Sequence, residues 1–247
     1  MSDEIQRLQR PDGESLAFKR LEGKGPTVVW IGGFRSDMEG TKALALDAAA
    51  RERGWNYLRY DHFAHGQSSG DWRRATIGRW RGDAIAMIDS LEGPILPVGS
   101  SMGGWIALLL ALARPERISG LVLVNPAQDF TERLMWPGLA DHVRQTILRD
   151  GEALIVEDGL GEYVLSLAMF EEARDWLLLD ASIPLAARVH ILQGRADTVV
   201  PWQHAMALVE RLAGGDVRLD LIDNGDHRLS TPKDLSQLIE AIERIRH

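Results

Sequence analysis

Ile95-Leu96-Pro97-Val98-Gly99-Ser100-Ser101-Met102-Gly103-Gly104-Trp105 passes from an apolar run through a small-residue turn into a second apolar run that continues to Ala113. The first run has the length of a buried strand and the second the character of a buried helix. Between them stands Gly-x-Ser-x-Gly, with Ser101 at its centre. In a strand–turn–helix context this pattern holds the serine in a strained conformation at the tip of a sheet. Gly99 and Gly103 then lack the Cβ atoms that would clash where strand and helix meet. The free N–H groups and positive dipole end of the helix face the serine, where they would stabilise an oxyanion. The same five residues alone also describe a plain turn. A nucleophile therefore requires a base, an acid and a second oxyanion donor elsewhere in the chain.

On both sides of this stretch, strands alternate with helices. A hairpin is predicted over residues 5–21 around Arg10-Pro11-Asp12-Gly13, followed by a fully apolar strand over 26–31 and a helix over 40–53 stopped by Gly54. A strand over 55–60 leads to Asp61-His62-Phe63-Ala64-His65-Gly66, and Ile77, Trp80, Ala84, Met87, Ile88 and Leu91 recur at helical spacing. Strands are predicted over 118–124, 189–193 and 217–222, and a helix through Ala205, Leu208, Val209 and Leu212. The last helix starts with Thr231 as N-cap, Pro232 at its first position and Asp234 in its first turn. This alternation predicts an α/β fold with a mainly parallel sheet and helices on both faces. Residues 127–187 break the rhythm. They show no convincing strand but several helical fragments and large apolar residues, so a helical cap is predicted there, inserted into a core of residues 1–126 and 188–247.

Bulk properties narrow the function. A length of 247 residues, 45% apolar and 26% charged, is ordinary for a globular chain, and a net charge of -8 without a Lys/Arg cluster argues against nucleic acid. The chain has no cysteine, which excludes disulfides and thiol chemistry and fits a reducing compartment. The acidic start Met1-Ser2-Asp3-Glu4 shows no secretory signal, and the longest apolar run is nine residues, too short for a membrane span. A cytoplasmic protein is expected. No metal cluster or nucleotide loop is apparent, so no cofactor is expected.

A serine hydroxyl needs a neighbouring base. Among seven histidines, His227 in Asn224-Gly225-Asp226-His227 lies past the last strand, on the sheet edge that also carries Ser101. His190 falls inside a strand, His204 at a helix start, His142 in the cap and His247 at the terminus. His62 and His65 share the correct edge and are assigned structural or substrate-lining roles. The orienting acid is Asp197, just past the strand over 189–193; Asp226 adjoins His227, but adjacent loop residues seldom aim their side chains at each other. The loop Gly32-Gly33-Phe34-Arg35 offers the Phe34 N–H as an oxyanion donor beside that of Met102. Arg35, Met135, Trp136, Met169, Phe170 and Trp202 are the substrate-binding candidates, the cap members forming an apolar acyl site.

Ser101, Asp197 and His227 stand in the chain order of the α/β-hydrolases, which the sequence resembles over its whole length. Residues 33–43 (Gly-Phe-Arg-Ser-Asp-Met-Glu-Gly-Thr-Lys-Ala), 99–105, Val200-Pro201-Trp202 and Asp226-His227-Arg228 are similar to mitochondrial acyl-glucuronide esterases that also act as palmitoyl-protein thioesterases, and to their bacterial relatives. The resemblance implies an α/β-hydrolase fold, the same triad, the Phe34 loop as part of the oxyanion hole, and hydrolysis of small-molecule acyl esters or thioesters, or of acylated proteins. Cofactor-free haloperoxidases and C–C bond hydrolases keep a serine triad and remain alternatives, as does a non-catalytic receptor. Ser101 argues against a haloalkane dehalogenase, whose nucleophile is an aspartate.

Overall fold

The computed structural model describes residues 4–157 and 161–246. The chain opens with the antiparallel hairpin of β1 (Gln6–Gln9) and β2 (Ser15–Leu21). It continues through β3 (Lys24–Ile31), α1 (Thr41–Arg53), β4 (Trp55–Tyr60), α2 (Ile77–Asp89), β5 (Ile95–Ser100), α3 (Met102–Ala113) and β6 (Leu121–Val124). It then leaves the sheet through a π-helical stretch (Thr131–Met135), α4 (Trp136–Gly138), α5 (Asp141–Asp150), β7 (Glu152–Glu157), β8 (Gly161–Ser166), α6 (Leu167–Ala173) and β9 (Ile183–Pro184). It returns with β10 (Val189–Gly194), α7 (Trp202–Arg211), β11 (Leu212–Ala213), β12 (Val217–Ile222) and α8 (Pro232–Arg246). The sheet order is β1-β2-β4-β3-β5-β6-β10-β12, antiparallel from β1 to β4 and parallel beyond.

Strands buried at every position, as β5, β6 and β10 are, need cover on both faces. Alternate residues supply the two layers. Val28, Trp30, Leu96, Val98, Val122 and Val124 pack with Leu46 of α1 and with Leu238, Ile242 and Ile245 of α8. Val29, Ile31, Ile95, Leu121 and Leu123 pack with α2 and α3 on the opposite face. Local chemistry sets the helix ends. Gly54 closes α1 in the left-handed region at φ 66, and Thr231 and Asp234 cap the start of α8 reciprocally. Because β4, β3, β5, β6, β10 and β12 are parallel, the loops after all of them meet at one rim, where ligand sites of such sheets form.

β6 and β10 are neighbours in the sheet, so the segment between them is an excursion from it. The expectation of no strand in residues 127–187 is corrected here: β7 and β8 pair as an antiparallel hairpin, and β9 pairs with β11. The hairpin escapes periodicity because it joins no larger sheet and leaves Leu154 and Val156 exposed, so no core face shows in its pattern. Asp158-Gly159 between two apolar runs is the turn signal that marks it in the sequence; these two residues lie outside the described ones. Side-chain ties hold the excursion down: Trp72 Nε1–H donates to Val164 O at 2.7 Å, and Trp105 Nε1–H to Trp176 O at 3.1 Å. Buried Asp129 accepts from the N–H groups of Leu178 and Leu179, both at 2.8 Å.

Candidate active site

Ser101 sits between β5 and α3 with φ 55 and ψ −122, a conformation that a residue with a Cβ rarely adopts. The turn is this sharp because its glycines bring backbones together: a Cβ on Gly103 would stand 2.0 Å from Ile31 O, and one on Gly99 would stand 2.3 Å from Gly103 O. Ser101 N–H donates to Val124 O, and Ser101 O accepts from Gly104 and Ala127, which ties the elbow to the end of β6.

Thirty positions apart in the chain, His227 and Asp197 meet at 2.7 Å, His227 Nδ1 to Asp197 Oδ2. Asp197 is buried, and its other oxygen accepts from the N–H groups of Val199 and Val200, which fixes the carboxylate. Asp226 is turned elsewhere; its Oδ1 accepts from the N–H groups of Arg228 and Leu229. Asn125 is a residue that motif reading missed. Wholly buried at φ 44, it donates through Nδ2 to the carbonyls of Asp226 (3.0 Å) and His227 (2.9 Å) and accepts from Gly194 N–H at 2.8 Å. It thus clamps the loops carrying His227 and Asp197. Its only sequence signal is an Asn just after a strand, the residue type that best tolerates positive φ. The other internal histidines have other partners or places: His190 pairs with Asp220, His204 with the Gln128 carbonyl, and His142 is exposed.

The loop after β3 lies against the elbow. Phe34 packs edge-on to Trp72 and Trp80, with Phe130 and Tyr163 on its other sides. Arg35 N–H donates to His65 Nε2, and its guanidinium lies 4.1 Å from the Tyr163 ring centroid. His62 and His65 are buried, and burial foremost pushes both imidazoles down, His65 to about 4. Asp61 joins the loops after β3 and β4 by accepting from the N–H groups of Met38 and Gln67.

Two cavities meet at Ser101 and His227. One, of about 500 Å³, is walled by Phe130, Leu134, Met135, Leu139, Tyr163, Val199 and Val200. The other, of about 370 Å³, is walled by Ser36, Asp37, Thr41, Lys42, Arg228 and Ser230. Lys42 Nζ donates to the Arg228 carbonyl, and burial foremost lowers its pKa to about 8. Of the expected acyl-site residues only Met135 lines the apolar cavity. Met169 and Phe170 face the core from α6, and Trp136 packs on Phe170 with ring centroids 4.8 Å apart. These three hold the excursion together instead of walling the site. Trp202 stands beside Arg195, and Arg35 lines a separate surface cavity. Among the described residues no group of three His, Cys, Asp or Glu is placed to hold a metal.

A serine in a strained strand–helix elbow at the rim of such a sheet, lining the same cavities as a loop histidine, is the arrangement of the α/β-hydrolase class. The family described as "Serine aminopeptidase, S33" matches residues 25–157. The mitochondrial palmitoyl-protein thioesterase ABHD10 of Bos taurus is 34% identical over 97% of this chain and 79% of that protein. Mouse ABHD10 superposes with a TM-score of 0.89 at 32% identity over 98% of both chains, and a crystal structure from Agrobacterium vitis S4 with 0.92 at 39% identity over 99% of both. The chain belongs to the α/β-hydrolase family, in the ABHD10 branch. No helix among the described residues is long and apolar enough to cross a membrane. The relatives' name places them in mitochondria, so a cytoplasmic location does not follow from the kinship.

Proposed function

We propose that this chain hydrolyses acyl esters or thioesters through an acyl-Ser101 intermediate. The contact of Asp197 with His227 at 2.7 Å, in a cavity His227 shares with strained Ser101, carries the proposal. Asp197 occupies Nδ1 of His227, leaving Nε2 to take the Ser101 hydroxyl proton as Oγ attacks the carbonyl carbon. The N–H groups of Phe34 and Met102 receive the oxyanion. Its collapse expels an alkoxide or thiolate, protonated by the imidazolium. Water, deprotonated by the same nitrogen, then attacks the acyl-enzyme and releases the acid. Residues 127–187 serve as a cap over the core of 1–126 and 188–247, with the acyl chain in the apolar cavity and the leaving group toward the polar one. The relatives' name supports thioesters of long acyl chains among the substrates.

The test is a graded series of p-nitrophenyl esters and acyl thioesters, with fluorophosphonate labelling of the wild type and of Ser101→Ala. Turnover and labelling that both vanish in a folded Ser101→Ala protein are expected. A wild type that neither turns over nor labels would overturn the proposal.

A further inference from the structure

The Phe34 N–H belongs to the peptide unit that joins Gly33 to Phe34. Gly33 has to approach the elbow closely, since a Cβ there would stand 3.2 Å from both Ser101 Cβ and Ser100 O. The missing side chain that permits this approach also leaves the peptide unit easy to rotate. Its two orientations have opposite consequences. In a trans peptide the C=O and N–H point in opposite directions, so a half-turn would exchange a donor for a carbonyl oxygen that repels an oxyanion.

Two side chains act on this segment. The Gly33 carbonyl accepts from Ser36 twice, from its N–H at 3.1 Å and from its Oγ–H at 2.8 Å. One residue beyond Phe34, Arg35 stands at φ 59 with its N–H donated to His65 Nε2 at 3.1 Å. An L-residue holds that backbone conformation only where its surroundings insist on it. His65 can accept because its other nitrogen is committed, Nδ1 standing 3.0 Å from the Phe63 carbonyl. Buried against Trp72 and Trp80, with its pKa lowered to about 4, the ring is neutral at neutral pH and Nε2 carries no proton.

We propose that Ser36 and His65 are positioning residues that lock residues 33–35 with the Gly33 carbonyl turned outward and the Phe34 N–H directed at the oxyanion above Ser101. Neither touches the reacting atoms. Ser36 holds the carbonyl end of the peptide unit that bears the donor, and His65 holds the next peptide unit. The inference rests on the hydrolase reading above and adds the reason why the hole is formed before substrate arrives.

Ser36→Ala, Ser36→Thr and His65→Phe test it on the full chain, each with a melting curve, kcat and KM, and the affinity for an arylboronic acid. The boron atom of that probe takes up the serine oxygen and puts a hydroxyl where the oxyanion forms. Losing one neutral hydrogen bond, Ser36→Ala should lower kcat roughly 3- to 10-fold. His65→Phe keeps the ring packing but not the acceptor and should do the same. The double variant should approach the ~10²-fold loss of a missing donor. Boronate affinity should fall in step with kcat while inhibition by the product acid stays constant, and Ser36→Thr, which keeps the hydroxyl, should restore most of the rate. Unchanged kcat in folded Ser36→Ala, or an equal loss in Ser36→Thr, would overturn the proposal even if His65→Phe failed to fold. Absence of turnover in the wild type would instead bring down the hydrolase reading itself.

Discussion

Two carboxylates stand near His227, and their hydrogen bonds give them different work. Asp197 reaches Nδ1 of the ring and is held there by two backbone N–H groups, whereas Asp226 spends one oxygen on the N–H groups of Arg228 and Leu229. Asp197→Asn would remove the partner of the imidazolium and favour the wrong tautomer, so kcat should fall about 10⁴-fold by analogy with serine proteases. Asp226→Asn keeps an acceptor for its turn and should cost far less. Steady-state kinetics on one ester decides the order, and a larger loss in Asp226→Asn would move the acid there. Ser100, at the end of β5, is the obvious confound of Ser101, and Ser100→Ala should keep substantial activity.

At the level of elements, the excursion after β6 has a wall part and a packing part. The stretch from Thr131 to Leu139 gives Leu134, Met135 and Leu139 to the apolar cavity, while α6 turns Met169 and Phe170 into the core. Each methylene buried in the cavity adds up to ~0.8 kcal/mol, so kcat/KM should climb roughly three- to fourfold per carbon until the space is full. Met135→Trp should shorten the preferred chain with little loss of stability. Met169→Trp should leave chain preference unchanged and destabilise by about 1–3 kcal/mol through overpacking. A flat profile from acetyl to decanoyl, or a shift caused by Met169→Trp and not by Met135→Trp, would contradict this division. Chain-length kinetics and urea titrations on both variants read it out.

For the whole molecule, the buried histidines behind the loop after β3 make stability depend on pH. His65 has a folded pKa of about 4 against an ordinary 6.5, and His62 is lowered in the same direction, burial being the main cause in both. Between these values the unfolded chain binds protons that the folded one refuses, so stability falls as pH drops below about 6.5. The slope is on the order of 1.4 kcal/mol per pH unit for each fully shifted group. Asp83, raised to about 6 by burial against the pull of Arg79 and Arg10, acts oppositely and loses stability as pH rises toward 6. The wild type should therefore lose more stability between pH 7 and pH 5 than His65→Phe does, as urea titrations at the two pH values will show. Equal losses would mean that His65 is not held neutral by the fold.

Much of this protein is legible from local chemistry in its sequence. The elbow needs only a few consecutive residues, and the main-sheet strands and crossover helices carry local signals of their own, apolar runs in β5, β6 and β10 and the cap of Thr231 and Asp234 in α8. Parallel strands send their following loops to one rim, so chain order alone gathered Ser101, Asp197 and His227 on the same edge. What needed the fold were contacts between distant residues whose side chains carry no local signature. Asn125 clamps a loop 101 and 102 residues away, and His65 accepts from an N–H 30 residues before it. Met135 and Met169 are equally apolar in the sequence, and only the packing of the excursion against the sheet puts one at the cavity wall and the other in the core. Hydrophobicity drives both out of water without direction; the geometry of helices meeting the sheet decides which of them faces a substrate.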